Sequence, residues 1–158
     1  MSALIECVPN FSEGRRPEVI KAIMAEITGE DGVTILDHEM DADHNRAVVT
    51  FVCHPDKVVD AAFRGIKKAS ELIDMRVHKG EHPRMGATDV CPFVPLEGVT
   101  VEDAVTLANQ LAERVGRELE IPVYLYEEAA TNATRKNLAN IRKGEYEGIR
   151  DEIETSPE

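Results

Sequence analysis

The chain has 158 residues, 42% of them hydrophobic and 30% charged, and its formal net charge is -12. This length and composition predict one globular domain, and no apolar run approaches the roughly 20 residues that span a bilayer. The excess of acidic charge repels nucleic-acid phosphates, so neither nucleic acid nor a membrane is expected as a partner.

The chain opens with a predicted strand and a predicted helix. Residues 3–8 are apolar enough for a buried strand, and the residues after them, PNFSEGRR, are typical of a loop. Pro17 suits the first position of a helix that ends near Gly29. This helix would bury apolar residues spaced three and four apart, which are Ile20, Ile23, Met24 and Ile27.

Two strands and a second helix are predicted next. Residues 33–37 and 46–53 are rich in β-branched residues, which predicts a hairpin around the polar loop HEMDADHN at 38–45. A second helix begins at residues 54–56, where proline follows His54. Its apolar residues repeat at helical spacing: Val59, Ala62, Ile66, Ala69 and Ile73.

The second half of the chain predicts a further strand and a third helix. Residues 90–95 have the composition of a strand, but Pro92 and Pro95 cannot donate ladder hydrogen bonds. We therefore expect this strand at a sheet edge or in an irregular stretch. Thr100 and Asp103 have the spacing of a capping box at the start of the third helix.

A strand over residues 122–126 and a short helix over 135–142 complete the predicted elements. The order β-α-β-β-α-β, followed by α-β-α, begins as the split β-α-β of a ferredoxin-like fold. We predict an α+β sandwich with one mixed or antiparallel sheet of five or six strands and helices on one face. A doubly wound parallel fold is the alternative, but residues 38–45 are too few for its crossover helix.

The three cysteines are Cys7, Cys53 and Cys91, which lie far apart in the sequence and form no C-x-x-C pair. This pattern argues against a disulfide framework and against a structural zinc site. The first residues lack a basic stretch followed by an apolar one, so we expect no secretory signal and a cytoplasmic location with reduced thiols. Each cysteine is predicted to be a small core residue.

His82 is the candidate catalytic residue. Pro83 disfavours a helical backbone before it, so His82 is expected on a loop. A loop imidazole can remove a proton from an amine that is becoming a nucleophile, whereas the alternative is a surface histidine in a polar turn. Lys79 and Arg84 place positive charge beside it, where an anionic substrate would be drawn.

A metal site in the same stretch is a competing hypothesis. His78 and His82, with Asp74 or Glu81, are ligand types that zinc accepts. Two histidines four residues apart meet only on a helix, and Gly80 and the proline after His82 argue against one. We therefore predict no metal.

Polar residues near the first strand and in the hairpin are candidates for substrate binding. Asp37 and Glu39 belong to a polar stretch that could hydrogen-bond an amino or amidine group, and a solvated hairpin tip is the alternative. The stretch lacks the glycine of a calcium loop. Asn10 and Ser12 could line a ligand site at the end of the first strand, or could simply be turn residues.

Four segments of the chain resemble the amino-terminal subdomain of the glutamate formiminotransferase family, which includes the transferase part of formiminotransferase-cyclodeaminase. They are ECVPNFSEG, LIDMRVHKGEHPRMGATDVCPFVP, PVYLYEEAA and IRKGEYEG. The resemblance implies transfer of a formimino group from N-formimino-L-glutamate to N5 of tetrahydrofolate in histidine degradation, with tetrahydrofolate as a substrate. It also implies that His82 is catalytic and gives Lys79 and Arg84 the substrate carboxylates to bind.

The resemblance also implies that a second subdomain is needed, because the family holds the folate between two subdomains. We expect residues 1–144 to form the first subdomain and residues 145–158 an acidic tail. The expected partners are folate, formiminoglutamate and either a C-terminal formiminotransferase subdomain or a second copy in a homodimer. The alternative function is a non-catalytic folate-binding or assembly module.

Overall fold

The computed structural model describes residues 3–29, 31–75, 86–121 and 123 of the chain. The strand expected over 122–126 and the helix expected over 135–142 lie outside these described residues, apart from residue 123. Six strands and three helices follow one another within the described ranges: β1 (Leu4–Cys7), β2 (Asn10–Phe11), α1 (Pro17–Ile27), β3 (Thr34–Asp41), β4 (Arg46–Cys53), α2 (Pro55–Leu72), β5 (Thr88–Val90), β6 (Phe93–Glu97) and α3 (Val101–Glu118).

The strands form one antiparallel sheet with β4 inside it. One side of β4 pairs with β3, and its other side pairs with β1 and then with β2. Beyond them, β6 pairs with β1 and β5 pairs with β2. If β1 with β2 and β5 with β6 are each taken as one interrupted strand, the order is that of a ferredoxin-like sheet. The predicted α+β sandwich is confirmed.

The two faces of the sheet differ in burial. Residues of β4 alternate between buried and half-buried. The buried ones, such as Val49 and Phe51, belong to one hydrophobic core together with the buried residues of α1 and α2. The other face, which the helices leave uncovered, is called the open face here. Cross-strand pairing places on it Glu6, Asn10, Asp37, Glu39, Val48, Thr50 and Val52.

Two boundaries of the predicted strands were wrong. The polar loop predicted over residues 38–45 is strand as far as Asp41, because β3 lies at the border of the described sheet, where polar side chains on both faces stay hydrated. The single strand predicted over 90–95 is instead two strands separated at Pro92, which has no N–H to donate to a ladder. The expected edge position of this segment is confirmed for β6 among the described strands.

The third helix is capped at its N-terminus and contacts α2 through a side chain of its later turns. Thr100 and Asp103 form the predicted capping box, with two reciprocal hydrogen bonds of 3.0 Å. Arg114 of α3 lies 3.9 Å from the centre of the Phe63 ring on α2 and pairs with Asp60. These contacts join α3 to α2 at the helix layer.

The hairpin between β3 and β4 is closed by a carboxylate. Oδ1 of Asp41 accepts hydrogen bonds from the backbone N–H groups of Asp43 and His44, at 3.0 and 3.1 Å. Its Oδ2 lies 2.7 Å from Nδ1 of His44. The backbone N–H of His44 and then its imidazole lower the pKa of Asp41 below its usual value. Asn45 completes the turn in the left-handed region, with φ 52°.

The loop between β2 and α1, residues 12–16, packs against this hairpin and is called the anchor loop here. The N–H of Gly14 donates to Oδ1 of buried Asn45 at 2.8 Å, and Nε of Arg15 donates to the Ala42 carbonyl at 2.9 Å. A Cβ atom at Gly14 would lie 2.5 Å from the Arg46 backbone nitrogen. Only glycine fits at this close approach.

We expect Gly14→Ala to destabilise the chain by on the order of 3 kcal/mol, because its methyl group would force the anchor loop away from the hairpin. Urea denaturation of both proteins measures the difference. Gly116→Ala in α3 is the matched control, since the nearest atom to its Cβ would be 3.9 Å away and alanine favours a helix. Equal stability of Gly14→Ala and the unmodified chain would contradict the packing described.

We expect Asp41→Asn to lower the melting temperature at pH 7 and to have a smaller effect at pH 3. The folded-state pKa of Asp41 is lowered, so its stabilisation is present above the unfolded pKa of about 3.9 and is lost as pH falls through the folded pKa. Thermal unfolding at both pH values measures this. Asp43→Asn, on the same turn, is the control. If it lowers the melting temperature by the same amount at each pH, loss of a negative charge rather than loss of the Asp41 hydrogen bonds explains the effect, and the prediction is contradicted.

Candidate functional site

Three of the predicted substrate-binding residues lie together on the open face. Asn10 is directly opposite Val48 of β4, and Glu39 is opposite Val48 from the other side. Asp37 is opposite Thr50 in the next row. Directly opposed residues share a face of the sheet with Cβ atoms about 5 Å apart. The structure therefore brings Asn10, Asp37 and Glu39 onto one surface, although Glu39 was predicted in a loop and Asp37 at the end of a strand.

Ser12, the fourth described candidate, has a different environment. It is 1% exposed, and its hydroxyl donates to the Gly86 carbonyl at 2.7 Å. Its backbone N–H donates to the Ala87 carbonyl at 2.8 Å. Both bonds hold the chain just before β5. Ser12 therefore positions that segment, and its hydroxyl is buried and bonded to a backbone carbonyl.

Glu13 organises the rest of the anchor loop from a buried position, with 5% exposure. Its Oε2 accepts from the N–H groups of Arg15 and Arg16 at 3.0 and 3.1 Å, and its Oε1 lies 2.6 Å from Nε of Arg16. Arg16 in turn donates from Nη2 to the carbonyl of Leu72, the last residue of α2, at 3.0 Å. A buried carboxylate is tolerated because these bonds compensate its charge.

The remaining site candidates lie in residues 76–85, outside the described residues: His82, Lys79 and Arg84, together with His78 and Glu81 of the metal hypothesis. The chain on either side of this stretch is described. Before it, Arg16 contacts Leu72, and Ile73 and Met75 are buried. After it, Ser12 binds residues 86–87. The anchor loop thus holds the chain on both sides of the stretch that contains the candidate histidine.

The open face has the chemistry of a hydrogen-bond acceptor surface. Glu6, half-buried and opposite Val52, adds a third carboxylate to those of Asp37 and Glu39, and Asn10 adds an amide. Glu6 was not predicted as a site residue, although its position between Ile5 and Cys7, which are buried, has the period-two pattern that indicates an outward-facing strand residue. Such a surface suits a substrate group that carries N–H donors.

The thiols of Cys7 and Cys53 are poor nucleophiles near neutral pH. Burial raises the pKa of Cys53 to about 11, and burial followed by the hydrogen bond with Cys91 raises the pKa of Cys7 well above its ordinary value. A nucleophilic cysteine needs its thiolate. Among residues 3–29, 31–75, 86–121 and 123, no three His, Cys, Asp or Glu side chains are grouped so that they could hold a metal ion.

No helix in the described ranges has the length and apolar character needed to cross a membrane.

Comparison with known proteins gives a consistent result. The family model described as formiminotransferase domain, N-terminal subdomain, matches residues 4–158. The chain is 56% identical over 153 residues to a glutamate formimidoyltransferase of Thermoplasma acidophilum, covering 96% of this chain and 50% of that protein. It is 50% identical to the Streptococcus pyogenes protein of the same name, covering 97% of this chain and 51% of the relative.

A longer relative matches in the same way. The chain is 50% identical over 153 residues to a formimidoyltransferase-cyclodeaminase of Rattus norvegicus, covering 97% of this chain and 28% of that protein. The chain therefore spans about half the length of the two formimidoyltransferases and 28% of the formimidoyltransferase-cyclodeaminase. On the family match and these identities, the chain belongs to the formiminotransferase family, within which it corresponds to the N-terminal subdomain.

Proposed function

We propose that this chain supplies the N-terminal half of a site that transfers a formimino group from N-formimino-L-glutamate to N5 of tetrahydrofolate. The observation that carries the proposal is the anchor loop, which contacts the chain on both sides of the stretch containing His82. The same loop continues from β2, whose Asn10 lies on the open face. Catalytic histidine and substrate-binding surface are thus connected through one short segment.

His82 acts as the general base in this proposal. N5 of the folate attacks the formimino carbon and must lose its proton as the new N–C bond forms, and a neutral imidazole within hydrogen-bond reach accepts it. Collapse of the tetrahedral intermediate breaks the bond between that carbon and the glutamate nitrogen. The imidazolium returns the proton to this leaving nitrogen, so one histidine completes the proton transfers of the cycle.

The open face binds the formimino end of the donor. The N–H groups of the formimino group donate to the carboxylates of Asp37 and Glu39 and to the amide oxygen of Asn10. These three side chains share the open face. Lys79 and Arg84 bind carboxylates of the two substrates. Ser12 contributes by holding residues 86–87 rather than by touching substrate.

A second subdomain completes the site. The open face is uncovered by the helices, and Val94 and Leu96 of β6 remain 40% and 48% exposed. Transfer needs two aligned substrates and exclusion of water, which a cleft between two subdomains provides. We propose that a C-terminal formiminotransferase subdomain, or a second copy in a homodimer, covers this face. Residues 1–144 form the subdomain, residues 145–158 its acidic tail, and the protein works in the cytoplasm without a metal.

The alternative is a folate-binding module without turnover. Calorimetry of the chain with tetrahydrofolate and 5-formyltetrahydrofolate separates the two functions when it is combined with an activity assay. Saturable binding with no transfer, even after the complementary half of the Thermoplasma acidophilum relative is joined to the chain, would support the module. Absence of both binding and transfer would exclude both functions.

When the chain is joined to the complementary half of the Thermoplasma acidophilum relative, we expect His82→Gln to lower kcat by about 10²–10⁴-fold, because the amide cannot accept the N5 proton. The affinity for 5-formyltetrahydrofolate should change by less than about threefold, since the folate contacts remain. Mass spectrometry of the formimino-folate product measures transfer. His38→Gln is the matched control, because His38 is exposed and opposite Val49, away from the open face. Unchanged kcat in His82→Gln would overturn the proposal.

A further inference from the structure

We propose that Cys7 and Cys91 form an oxidation site, at which a hydroperoxide converts the two thiols into an intrachain disulfide. The two sulfur atoms are 3.5 Å apart, although 84 positions separate the residues in sequence. This pairing is independent of formimino transfer. It was not expected from the sequence, where the cysteines were interpreted as separate core residues.

The local backbone permits the sulfurs to approach. Cys7 is held in the β1 ladder opposite Phe93, and the adjacent Val8 N–H donates to the Pro92 carbonyl at 3.2 Å. Cys91 lies in the break between β5 and β6, and no described strand pairs with it. Bond formation shortens the separation by about 1.5 Å, to the length of a disulfide. Movement of Cys91 breaks no described ladder hydrogen bond.

The order of the two steps follows from exposure. Cys91 is half-buried, whereas Cys7 is fully buried, so the hydroperoxide reaches Cys91 first. Attack by the Cys91 sulfur on the peroxide O–O bond gives a sulfenic acid and water, or an alcohol if the peroxide is organic. The Cys7 sulfur then displaces the sulfenic oxygen, which leaves as a second water with the Cys7 proton. The two thiols are oxidised and one peroxide is reduced.

Burial also makes the second step dependent on pH. The pKa of Cys7 is raised by burial and by its hydrogen bond with Cys91, so little thiolate is present at pH 7. The other groups that act on Cys7 are the Cys53 thiol and the backbone N–H of Val8. We expect closure of the disulfide to accelerate about tenfold for each pH unit between 7 and 8.5, because the thiolate is the attacking form.

The consequence of the bond is mechanical. The disulfide would join β1 to the connection between β5 and β6. Cys91 in this connection is four residues after Ala87, whose carbonyl accepts a hydrogen bond from the Ser12 N–H. Closing a loop of this length restricts the unfolded chain more than the folded one. Oxidation should therefore raise the melting temperature by roughly 5–10 °C, and reduction should reverse it.

Peptide mapping tests the proposal directly. Trypsin places the three cysteines on three different peptides, residues 1–15, 47–57 and 85–114. The full chain is treated with hydrogen peroxide, remaining thiols are alkylated under denaturing conditions, and the digest is analysed by mass spectrometry. We expect peptides 1–15 and 85–114 to appear linked, with the loss of two hydrogen masses and with peptide 47–57 fully alkylated.

Two variants sharpen the outcome. Cys53→Ala should leave the link intact, and Cys91→Ser should abolish both the link and the rise in melting temperature on oxidation. The proposal is overturned if Cys91 ends as a sulfinic or sulfonic acid with Cys7 still alkylated. It is equally overturned if the link joins Cys7 to Cys53, or if it joins two chains.

Discussion

The buried carboxylate of Glu13 is the interaction on which the rest of this structure depends. It accepts from the N–H groups of Arg15 and Arg16 and pairs with the Arg16 guanidinium, and so it fixes the anchor loop. That loop then makes three connections: Gly14 to the hairpin, Arg16 to the end of α2, and Ser12 to the chain before β5. Without its partners, a buried charge would be strongly unfavourable, so the loop has one stable arrangement.

The sheet separates stability from chemistry. Its helix-side face buries apolar residues of β1 and β4 against α1 and α2, which is where the hydrophobic effect contributes most to folding. The open face carries the carboxylates and the amide that suit a substrate, and these side chains make no part of the core. Under the proposed function, changes on the open face should therefore alter substrate binding with little effect on folding, whereas changes in the anchor loop should affect both.

Period-two and helical patterns were sufficient to predict the three helices, the hairpin strands and the α+β sandwich. The capping box at Thr100 was predicted because it depends only on local spacing. The extension of β3 through Asp41 was missed because polar residues at a sheet border are stabilised by pairing with β4, which a single strand's sequence does not reveal.

The candidate site was predictable in parts. Asn10, Asp37 and Glu39 were proposed from their chemistry, but only the register of β2, β3 and β4 places them on one face. Buried Glu13 and the bond from Ser12 to Gly86 had no signal beyond a polar loop, because their partners are distant in sequence. The contact between Cys7 and Cys91 was hidden for the same reason.

Hydrogen exchange of the backbone amide of Ser12 tests the central role of the anchor loop most directly. This amide donates a hydrogen bond to the Ala87 carbonyl and is buried. Its exchange rate therefore measures how often the anchor loop separates from the chain that follows the candidate histidine. The account predicts protection close to that of the β1 amides, which open only with the whole domain. Exchange near the rate of the exposed Asp43 amide would contradict it, since the loop would then open independently of the fold.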